Sequence, residues 1–193
     1  MIIGLTGGIG SGKSAALNAL KINGYKTVSC DDITRELYKK RKTLVKLRAE
    51  FPSAIKGRLF LKADKKEISR IVFSDKEKYN FLNEFLTRET FDVAYRRAEK
   101  LAKNGGIVIV EVPLLFENNL AGKFDKVLVI TRDKNARIES VKKRSGLSEE
   151  ETLKRINAQT DYETFDLSPF TVIKNDGTKD DLAAAVVHAV KSL

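Results

Sequence analysis

The stretch Gly7-Gly8-Ile9-Gly10-Ser11-Gly12-Lys13-Ser14 decides how this chain folds. Its spacing, G-x-x-x-x-G-K-S, is that of a phosphate-binding loop. An apolar stretch suited to a buried strand, 1–6, precedes it, and a helix-forming stretch, 15–20, follows it. The glycines let the backbone curl until several N–H groups face phosphate oxygens, and the following helix adds the positive end of its dipole. We therefore predict that nucleotide phosphates are bound by Gly8, Ile9, Gly10, Ser11, Gly12, Lys13, Ser14 and Ala15.

Two side chains of this loop indicate the chemistry. Lys13 supplies a point charge for the β- and γ-phosphates, where charge grows during phosphoryl transfer, so we predict that it is catalytic. The Ser14 hydroxyl is suited to ligating Mg²⁺. The loop therefore predicts ATP and Mg²⁺ as cofactors.

The balance of charge narrows the class of partner. The chain has 193 residues and a formal net charge of +10, which predicts a polyanionic partner: nucleic acid, an acidic membrane face or a phosphorylated small molecule. The phosphate loop favours the small molecule. The basic run Lys39-Lys40-Arg41-Lys42 is more typical of a solvated helix face than of a nucleic-acid site. We expect neither a nucleic-acid nor a membrane partner.

Signals of targeting and of redox compartment indicate where in the cell the protein is expected. Cys30 is the single cysteine, so an internal disulfide is impossible, which fits a reducing compartment. The N-terminus lacks a basic segment followed by an apolar stretch. No apolar run approaches the roughly 20 residues that span a bilayer. We expect a cytoplasmic protein.

Predicted strands and helices alternate along the chain. The runs 107–111 and 126–130 are rich in β-branched residues and apolar on both faces, as in a parallel sheet covered by helices. This alternation predicts an α/β fold of the P-loop NTPase type, with three layers (αβα) around a parallel sheet. Further strands are predicted at 26–29 and 170–173, and helices at 32–50, 64–103, 135–143, 148–160 and after Thr178. Three pairs have the spacing of helix caps: Ser74 with Glu77, Ser148 with Glu151 and Thr178 with Asp181.

We predict one kinase domain over residues 1–193, with two parts outside the sheet and its covering helices. The helical stretch of about 32–104 is too long for a simple crossover and predicts a helical, acceptor-binding subdomain. The segment of about 135–160 predicts a mobile lid that closes over the substrates. It carries Arg137, Arg144 and Arg155, and a closing arginine is suited to meet the charge of the transferred phosphoryl group. Most lid charges are nevertheless ordinary surface charges.

Two carboxylates follow predicted strands at the end where α/β sheets bind their ligands. Asp31 follows the second strand, and spacing leaves two roles open: accepting the proton of a substrate hydroxyl, or capping a helix. Arg35, one helical turn later, faces the same cleft or pairs with Asp31 or Asp32 on the helix surface. Glu111 ends the most apolar strand and is placed to hold Mg²⁺, usually through water.

Four stretches match motifs that occur together in one family. They read Gly4-Leu5-Thr6-Gly7-Gly8-Ile9-Gly10-Ser11-Gly12-Lys13-Ser14, Ser29-Cys30-Asp31-Asp32-Ile33-Thr34-Arg35, Glu111-Val112-Pro113-Leu114-Leu115-Phe116-Glu117 and Asn175-Asp176-Gly177-Thr178. With them the chain resembles the dephospho-coenzyme A kinase family along essentially its whole length. Many families share the phosphate loop, whereas Pro-Leu-Leu-Phe-Glu at its place beside the other segments is much more specific.

Two positions depart from the family's pattern. Ser29 stands where the family has the first Asp of Asp-Ala-Asp, so only Asp31 matches the second. Thr87-Arg88 stands where the family tends to carry His-Pro in its helical subdomain. Both departures fall on the side of the phosphoryl acceptor.

The resemblance implies transfer of the γ-phosphate of ATP to the ribose 3′-hydroxyl of dephospho-CoA, the last step of coenzyme A synthesis. It implies that Asp31 is the catalytic carboxylate on the acceptor side and that Arg35 contacts substrate phosphate. Among the lid arginines it favours Arg144 as the catalytic, nucleotide-binding one, followed by Arg155 and Arg137.

The resemblance also implies contacts from two loops. Asn175 and Gly177 meet the adenine edge of the nucleotide. Glu117 contacts the acceptor, although a solvated loop charge is nearly as good an interpretation of it. The other acceptor contacts implied on this loop are Pro113, Leu114 and Leu115.

Two other functions stay open on sequence alone. One is another nucleotide or small-molecule kinase with the same core. The other is a GTP-dependent switch that binds RNA through its basic surface. Against it, the chain contains neither D-x-x-G nor N-K-x-D.

Overall fold

The computed structural model describes residues 1–103 and 105–193 and has a five-stranded sheet at its centre. Its strands lie side by side in the order β2 (Lys26–Ser29), β5 (Val108–Glu111), β1 (Ile2–Thr6), β6 (Lys126–Thr131) and β7 (Thr171–Lys174). β1 pairs in parallel with β5 and β6, and β6 pairs in parallel with β7. The predicted parallel sheet is confirmed.

Apolar β-branched runs put β1 and β5 in the interior of the sheet. All residues of both strands are buried. Helices α1 (Lys13–Ile22) and α8 (Lys179–Lys191) cover one face of the sheet. Their apolar side chains join those of β1, β5, β6 and β7 in one core. The helices are α1 (Lys13–Ile22), α2 (Cys30–Leu37), α3 (Arg41–Glu50), α4 (Lys65–Ser74), α5 (Lys76–Ala102), α6 (Lys134–Ser145), α7 (Glu149–Asn157) and α8 (Lys179–Lys191).

Helix caps decide several of these boundaries. The capping boxes of Ser148 with Glu151 and of Thr178 with Asp181 both form, as predicted. The predicted cap at Ser74 is wrong, because Ser74 is the last residue of α4. The next residue, Asp75, accepts the backbone N–H groups of Glu77 and Lys78 at 3.0 Å each, and so begins α5.

The chain divides into two compact units. One, which contains the sheet, comprises Met1–Val28 and Arg97–Leu193; the other, the helical unit, comprises Ser29–Arg96. The helical unit has its own apolar core, which includes Leu44, Leu47 and Phe51. The predicted end of the helical subdomain, Asn104, lies outside the described residues. The structure adds a small hairpin, β3 (Ile55–Lys56) with β4 (Lys62–Ala63), that the sequence did not predict.

Both departures from the family's motifs have a structural explanation. Ser29 is the N-cap of α2, and its Oγ accepts the backbone N–H of Asp32 at 3.4 Å. Thr87 and Arg88 lie inside α5, a continuous helix of 27 residues, where a proline would remove a backbone hydrogen bond and kink the helix. Arg88 lines a cavity of about 400 Å³ within the helical unit. Of the helices that the structure describes, none has the length and apolar character needed to cross a membrane.

Candidate active site

The phosphate loop connects β1 to α1 at the carboxyl end of the sheet. Gly10 and Gly12 have φ angles of +80° and +104°, a region that glycine adopts without strain. A Cβ at Gly12 would collide with the amide of Asn175, so packing also requires glycine there. Gly12 precedes α1, whose first turn carries no acidic residue. The positive end of this helix is therefore left for an anion.

The Lys13 side chain folds back over the loop. Its Nζ donates hydrogen bonds to the carbonyl oxygens of Gly7 at 2.7 Å and Gly8 at 2.9 Å. These bonds hold the loop curled and place the ammonium at the loop. The position is that of a charge serving phosphates bound there.

The structure brings the two predicted metal ligands together. Ser14 Oγ donates a hydrogen bond to Glu111 Oε1 at 3.2 Å, across 97 residues of chain. Glu111 is only 2% exposed, at the end of β5. Within residues 1–103 and 105–193, no group of three or more His, Cys, Asp or Glu side chains is arranged to hold a metal ion. A hydroxyl and one carboxylate fit Mg²⁺, which commonly keeps several waters and takes substrate phosphates as further ligands.

Among the three predicted lid arginines, Arg137, on α6, is the one that touches the loop; Arg132, just before α6, also donates from Nη1 to the Gly10 carbonyl at 3.4 Å. The Arg137 Nε donates to the carbonyl of Ile9 at 3.0 Å, and the residue is 7% exposed. The Nη2 atom is buried, has no hydrogen-bond partner and lies where a Cβ on Gly8 would collide with it. Burial lowers the pKa of this guanidinium, against the raising influence of nearby Tyr162, Glu163 and Asp161. Arginine nevertheless stays protonated at working pH, so a positive charge sits against the loop.

The other two lid arginines lie on the surface. Arg144 is exposed in the last turn of α6, and Arg155 is exposed in the last turn of α7. The sequence ranked Arg144 first, whereas the structure places Arg137 at the loop. The role of Arg144 stays a prediction.

The segment after α7, residues 159–162, runs beside the loop, and we call it the rim segment. Gln159 Oε1 accepts the backbone N–H of Ile9 at 2.6 Å. The Thr160 N–H donates to Glu117 Oε1 at 2.7 Å. The Tyr162 hydroxyl faces Thr6 and the Gly7 backbone without a well-aligned hydrogen bond. Burial raises the pKa of Tyr162 from 10.0 to about 12.

Buried polar atoms without partners concentrate around this loop. The described part of the chain contains five such side-chain atoms. Ser11 lies in the loop, Thr6 lies directly before it, and Tyr162 belongs to the rim segment. Arg137 contacts the loop, and Glu117 contacts the rim segment. A buried polar group without a partner costs about 1–3 kcal/mol, so such groups call for a physical reason. A polar ligand at the loop supplies one. The atoms are Thr6 Oγ1, Ser11 Oγ, Glu117 Oε2, Arg137 Nη2 and Tyr162 OH.

The structure gives Asn175 a contact other than the adenine edge. Its Nδ2 donates to the carbonyl of Ser11 at 2.7 Å, and its backbone N–H donates to Thr131 at 2.8 Å. Asn175 therefore ties the end of β7 to the phosphate loop. Gly177 lies just before the Thr178 cap of α8, close to the Asp181 carboxylate.

The predicted acceptor-side residues of α2 lie in the helical unit. Asp31 is exposed in the first turn of this helix. The alternative that Asp31 is the N-cap is wrong, since Ser29 caps the helix. Arg35 Nη1 contacts Asp32 Oδ1 at 2.7 Å, and both side chains are about two-thirds exposed, at 67% and 65%. Such a surface pair contributes about 0–1 kcal/mol, so it holds Arg35 only weakly.

The Pro-Leu-Leu-Phe-Glu segment divides between surface and core. Leu114 is 37% exposed and Pro113 is partly buried. Leu115 is fully buried, against Gly4 and Phe124. Its side chain belongs to the core, and only its backbone remains for the predicted acceptor contact. Glu117 is partly buried and bonded to the rim segment, so the solvated alternative does not hold.

Four residues at this site were missed by sequence reasoning: Thr6, Arg132, Gln159 and Tyr162. Thr6 lies directly before the loop, which is a usable signal for its position. Gln159 and Tyr162 follow α7 without a recognisable motif. Gln159 is the single glutamine of the chain, but composition does not point to the loop.

A phosphate loop after the central strand of a parallel sheet, with a Ser–Glu pair for a metal ion and an arginine against the loop, defines a P-loop phosphotransferase. Comparison with known proteins specifies the family. The family model for dephospho-CoA kinase matches residues 1–181. The chain belongs to the dephospho-CoA kinase family.

Individual relatives agree with this assignment. A dephospho-CoA kinase of Thermobifida fusca is 36% identical over 99% of this chain and 95% of its own length. That of Thermus thermophilus is 32% identical over 100% and 92%. A Thermus thermophilus crystal structure superposes with a TM-score of 0.80 at 31% identity, covering 100% of this chain and 97% of that one. The dephospho-CoA kinase of Campylobacter jejuni gives 0.74 at 25% identity, with coverages of 98% and 95%.

Proposed function

We propose that this protein transfers the γ-phosphate of ATP to the ribose 3′-hydroxyl of dephospho-CoA, giving CoA and ADP. Family membership supports the acceptor, and the phosphate loop supports the phosphoryl chemistry. The observation that carries the chemistry is the concentration of partnerless buried polar atoms around that loop. The alternative of another small-molecule kinase is not favoured by the comparisons.

The loop binds the nucleotide phosphates through its backbone N–H groups and Lys13. Ser14 and Glu111 would hold Mg²⁺, Glu111 directly or through water. The ion would supply positive charge against the bound phosphates. Lys13 already lies at the loop carbonyls, so its charge needs little rearrangement to reach those oxygens.

Positive charge from the lid completes the phosphate site. The buried Nη2 of Arg137 meets the transferred phosphoryl group, whose equatorial oxygens carry the charge of the transition state. Arg144 and Arg155, on the surface of the segment of about 135–160, approach the phosphates when this segment closes as a lid. Asn175 and Gly177 lie beside the adenine, and Asn175 also fixes the loop.

Family membership supports acceptor contacts from residues of α2 and from residues of the segment after β5. Asp31 accepts the proton of the 3′-hydroxyl as the phosphoryl group arrives, and Arg35 binds a substrate phosphate. Pro113, Leu114 and the Leu115 backbone contact the acceptor, and Glu117 orients that segment through its bond to Thr160.

The direct test is an assay of ADP release with ATP, Mg²⁺ and dephospho-CoA, run beside a panel of other hydroxyl acceptors and beside GTP as donor. We expect release that depends on dephospho-CoA and a product with one added phosphate at the ribose 3′ position, identified by mass spectrometry and NMR. Lys13→Ala is the control for contaminating kinases. Faster turnover of another acceptor would overturn the substrate assignment while leaving the chemistry intact.

A further inference from the structure

Both backbone polar groups of Ile9 are held by side chains from outside the loop. Gln159 Oε1 accepts its N–H at 2.6 Å, and Arg137 Nε donates to its carbonyl at 3.0 Å. Gln159 comes from the rim segment and Arg137 from α6, so the two contacts come from different elements. Ile9 is therefore a common point through which Gln159 and Arg137 are connected.

This arrangement fixes the direction of the arginine. A guanidinium is planar, so a bond from Nε sets the plane in which the Nη atoms lie. The free Nη2 then lies beside Gly8, within the phosphate loop. The Ile9 N–H belongs to the Gly8–Ile9 peptide and the Ile9 carbonyl to the following Ile9–Gly10 peptide, so the two contacts hold the peptide groups on either side of the Ile9 Cα. The hydrogen bond to Gln159 restrains the first group and, through the shared Cα, limits how far the carbonyl that holds Nε can shift.

We infer that Gln159 is a positioning residue for phosphoryl transfer: it holds the Gly8–Ile9 peptide, which limits the movement of the adjoining Ile9 carbonyl that orients Arg137 towards the terminal phosphate. This inference rests on the proposed function, because it assumes that Arg137 serves a phosphate bound in the loop. Gln159 itself does not need to touch the nucleotide. Its neighbour Thr160 bonds to Glu117, which anchors the rim segment from the other side.

A merely structural role for Gln159 predicts different behaviour. Losing the hydrogen bond would then lower thermal stability, and any loss of activity would be independent of Arg137. A positioning role predicts a fall in kcat with little change in the KM for ATP. It also predicts that the effect disappears once Arg137 is gone.

The test is a double-mutant cycle with Gln159→Met and Arg137→Met. Methionine keeps the length and apolar stem of each side chain without its polar atoms. Asn157→Leu is the matched control, because it removes an exposed amide at the end of α7, two residues away. Gln159→Ala is the second variant should Gln159→Met fail to fold, and thermal unfolding is recorded for every variant.

We expect Gln159→Met to lower kcat about tenfold, the loss of one well-placed hydrogen bond. In the Arg137→Met background the same change should alter kcat by less than about twofold. Hydrogen exchange of the Ile9 amide should accelerate in Gln159→Met and not in Asn157→Leu. Unchanged kcat, or a full tenfold loss in the Arg137→Met background, overturns the inference.

The two levels of the proposal fail in different ways. Absence of turnover with dephospho-CoA in the wild-type protein overturns the proposed function and the inference with it. Normal wild-type turnover together with an independent or silent Gln159 overturns the inference alone.

Discussion

Replacing Arg137 by methionine should separate activity from stability. The guanidinium is buried against the phosphate loop, where its Nε donates a hydrogen bond to the Ile9 carbonyl. Arg144→Met is the matched comparison, because this residue lies two turns later on the same helix with its side chain exposed. The pair tests whether the arginine favoured by the sequence or the one favoured by the structure carries the phosphoryl transfer.

The expected effect on stability is small because two contributions oppose each other. Losing a hydrogen bond from a charged donor costs about 1.5–3 kcal/mol. Removing the buried Nη2, which has no partner, recovers about 1–3 kcal/mol. The methionine side chain retains the apolar packing of the arginine stem. The free energy of unfolding should therefore change by no more than about 2 kcal/mol.

The effect on turnover should be much larger. A buried donor aimed at transition-state charge contributes about 10²–10³ in rate, so kcat of Arg137→Met should fall at least about a hundredfold. Arg137→Lys should recover only part of this, since an ammonium cannot bond Ile9 and the phosphate with a planar fork.

The assay is steady-state ADP release with saturating dephospho-CoA, with urea unfolding measured on the same samples. We expect a larger loss of kcat in Arg137→Met than in Arg144→Met. A kcat of Arg137→Met within about threefold of wild type would refute the reasoning from its buried Nη2. A large loss in Arg144→Met alone would show that lid closure brings the surface arginine to the phosphates.

Four further substitutions test the remaining parts of the site. Lys13→Ala should lower kcat about a hundredfold with an intact fold; near-normal turnover would contradict its role at the phosphates. Asp31→Asn should cut kcat about a hundredfold without a change in thermal stability, because Ser29 and not Asp31 caps α2; loss of stability alone would argue against a base. Glu111→Gln keeps an acceptor for Ser14 but removes the charge, so the Mg²⁺ concentration for half-maximal rate should rise on the order of tenfold; an identical Mg²⁺ titration would exclude it as a ligand. The pKa of Tyr162 rises from 10.0 to about 12 on burial, so the folded state holds this proton more tightly and stability falls as pH rises above about 10; Tyr162→Phe should make unfolding less dependent on pH in that range, and an unchanged slope would contradict burial of the hydroxyl.

The sequence predicts those parts of the fold that depend on patterns among neighbouring residues. The phosphate loop, the apolar run of β5 that leads into Glu111, and the capping box at Ser148 each depend on residues close together in the chain. The prediction of a cap at Ser74 was wrong because the next residue, Asp75, has the same kind of local signal and is the residue that accepts the first N–H groups of α5. The hairpin between Ile55 and Ala63 was missed because strands of two residues show no alternation.

The site was predicted less completely because its contacts join distant segments. Gln159 contacts Ile9 across 150 residues of sequence, and no sequence pattern around either residue predicts this contact. Arg137 and Arg144 are both basic residues of one helix; the resemblance to the family favoured Arg144, and no local sequence pattern shows which of the two is buried. Only packing does, since Arg137 shares the buried face of α6 with Ile138 and Val141.

The distribution of unsatisfied polar atoms explains why these residues belong together. Each such atom costs about 1–3 kcal/mol, and a folded domain is stable by only about 5–15 kcal/mol, so five of them are a considerable burden. Their restriction to the loop and its surroundings places the destabilisation at the proposed phosphate site. Phosphate oxygens can accept from the Arg137 guanidinium and from the hydroxyls, whereas the Glu117 carboxylate oxygen is itself an acceptor that a polyanion does not satisfy. We therefore count residues that hold these groups in place without a ligand, such as Gln159 and Asn175, as part of the proposed active site.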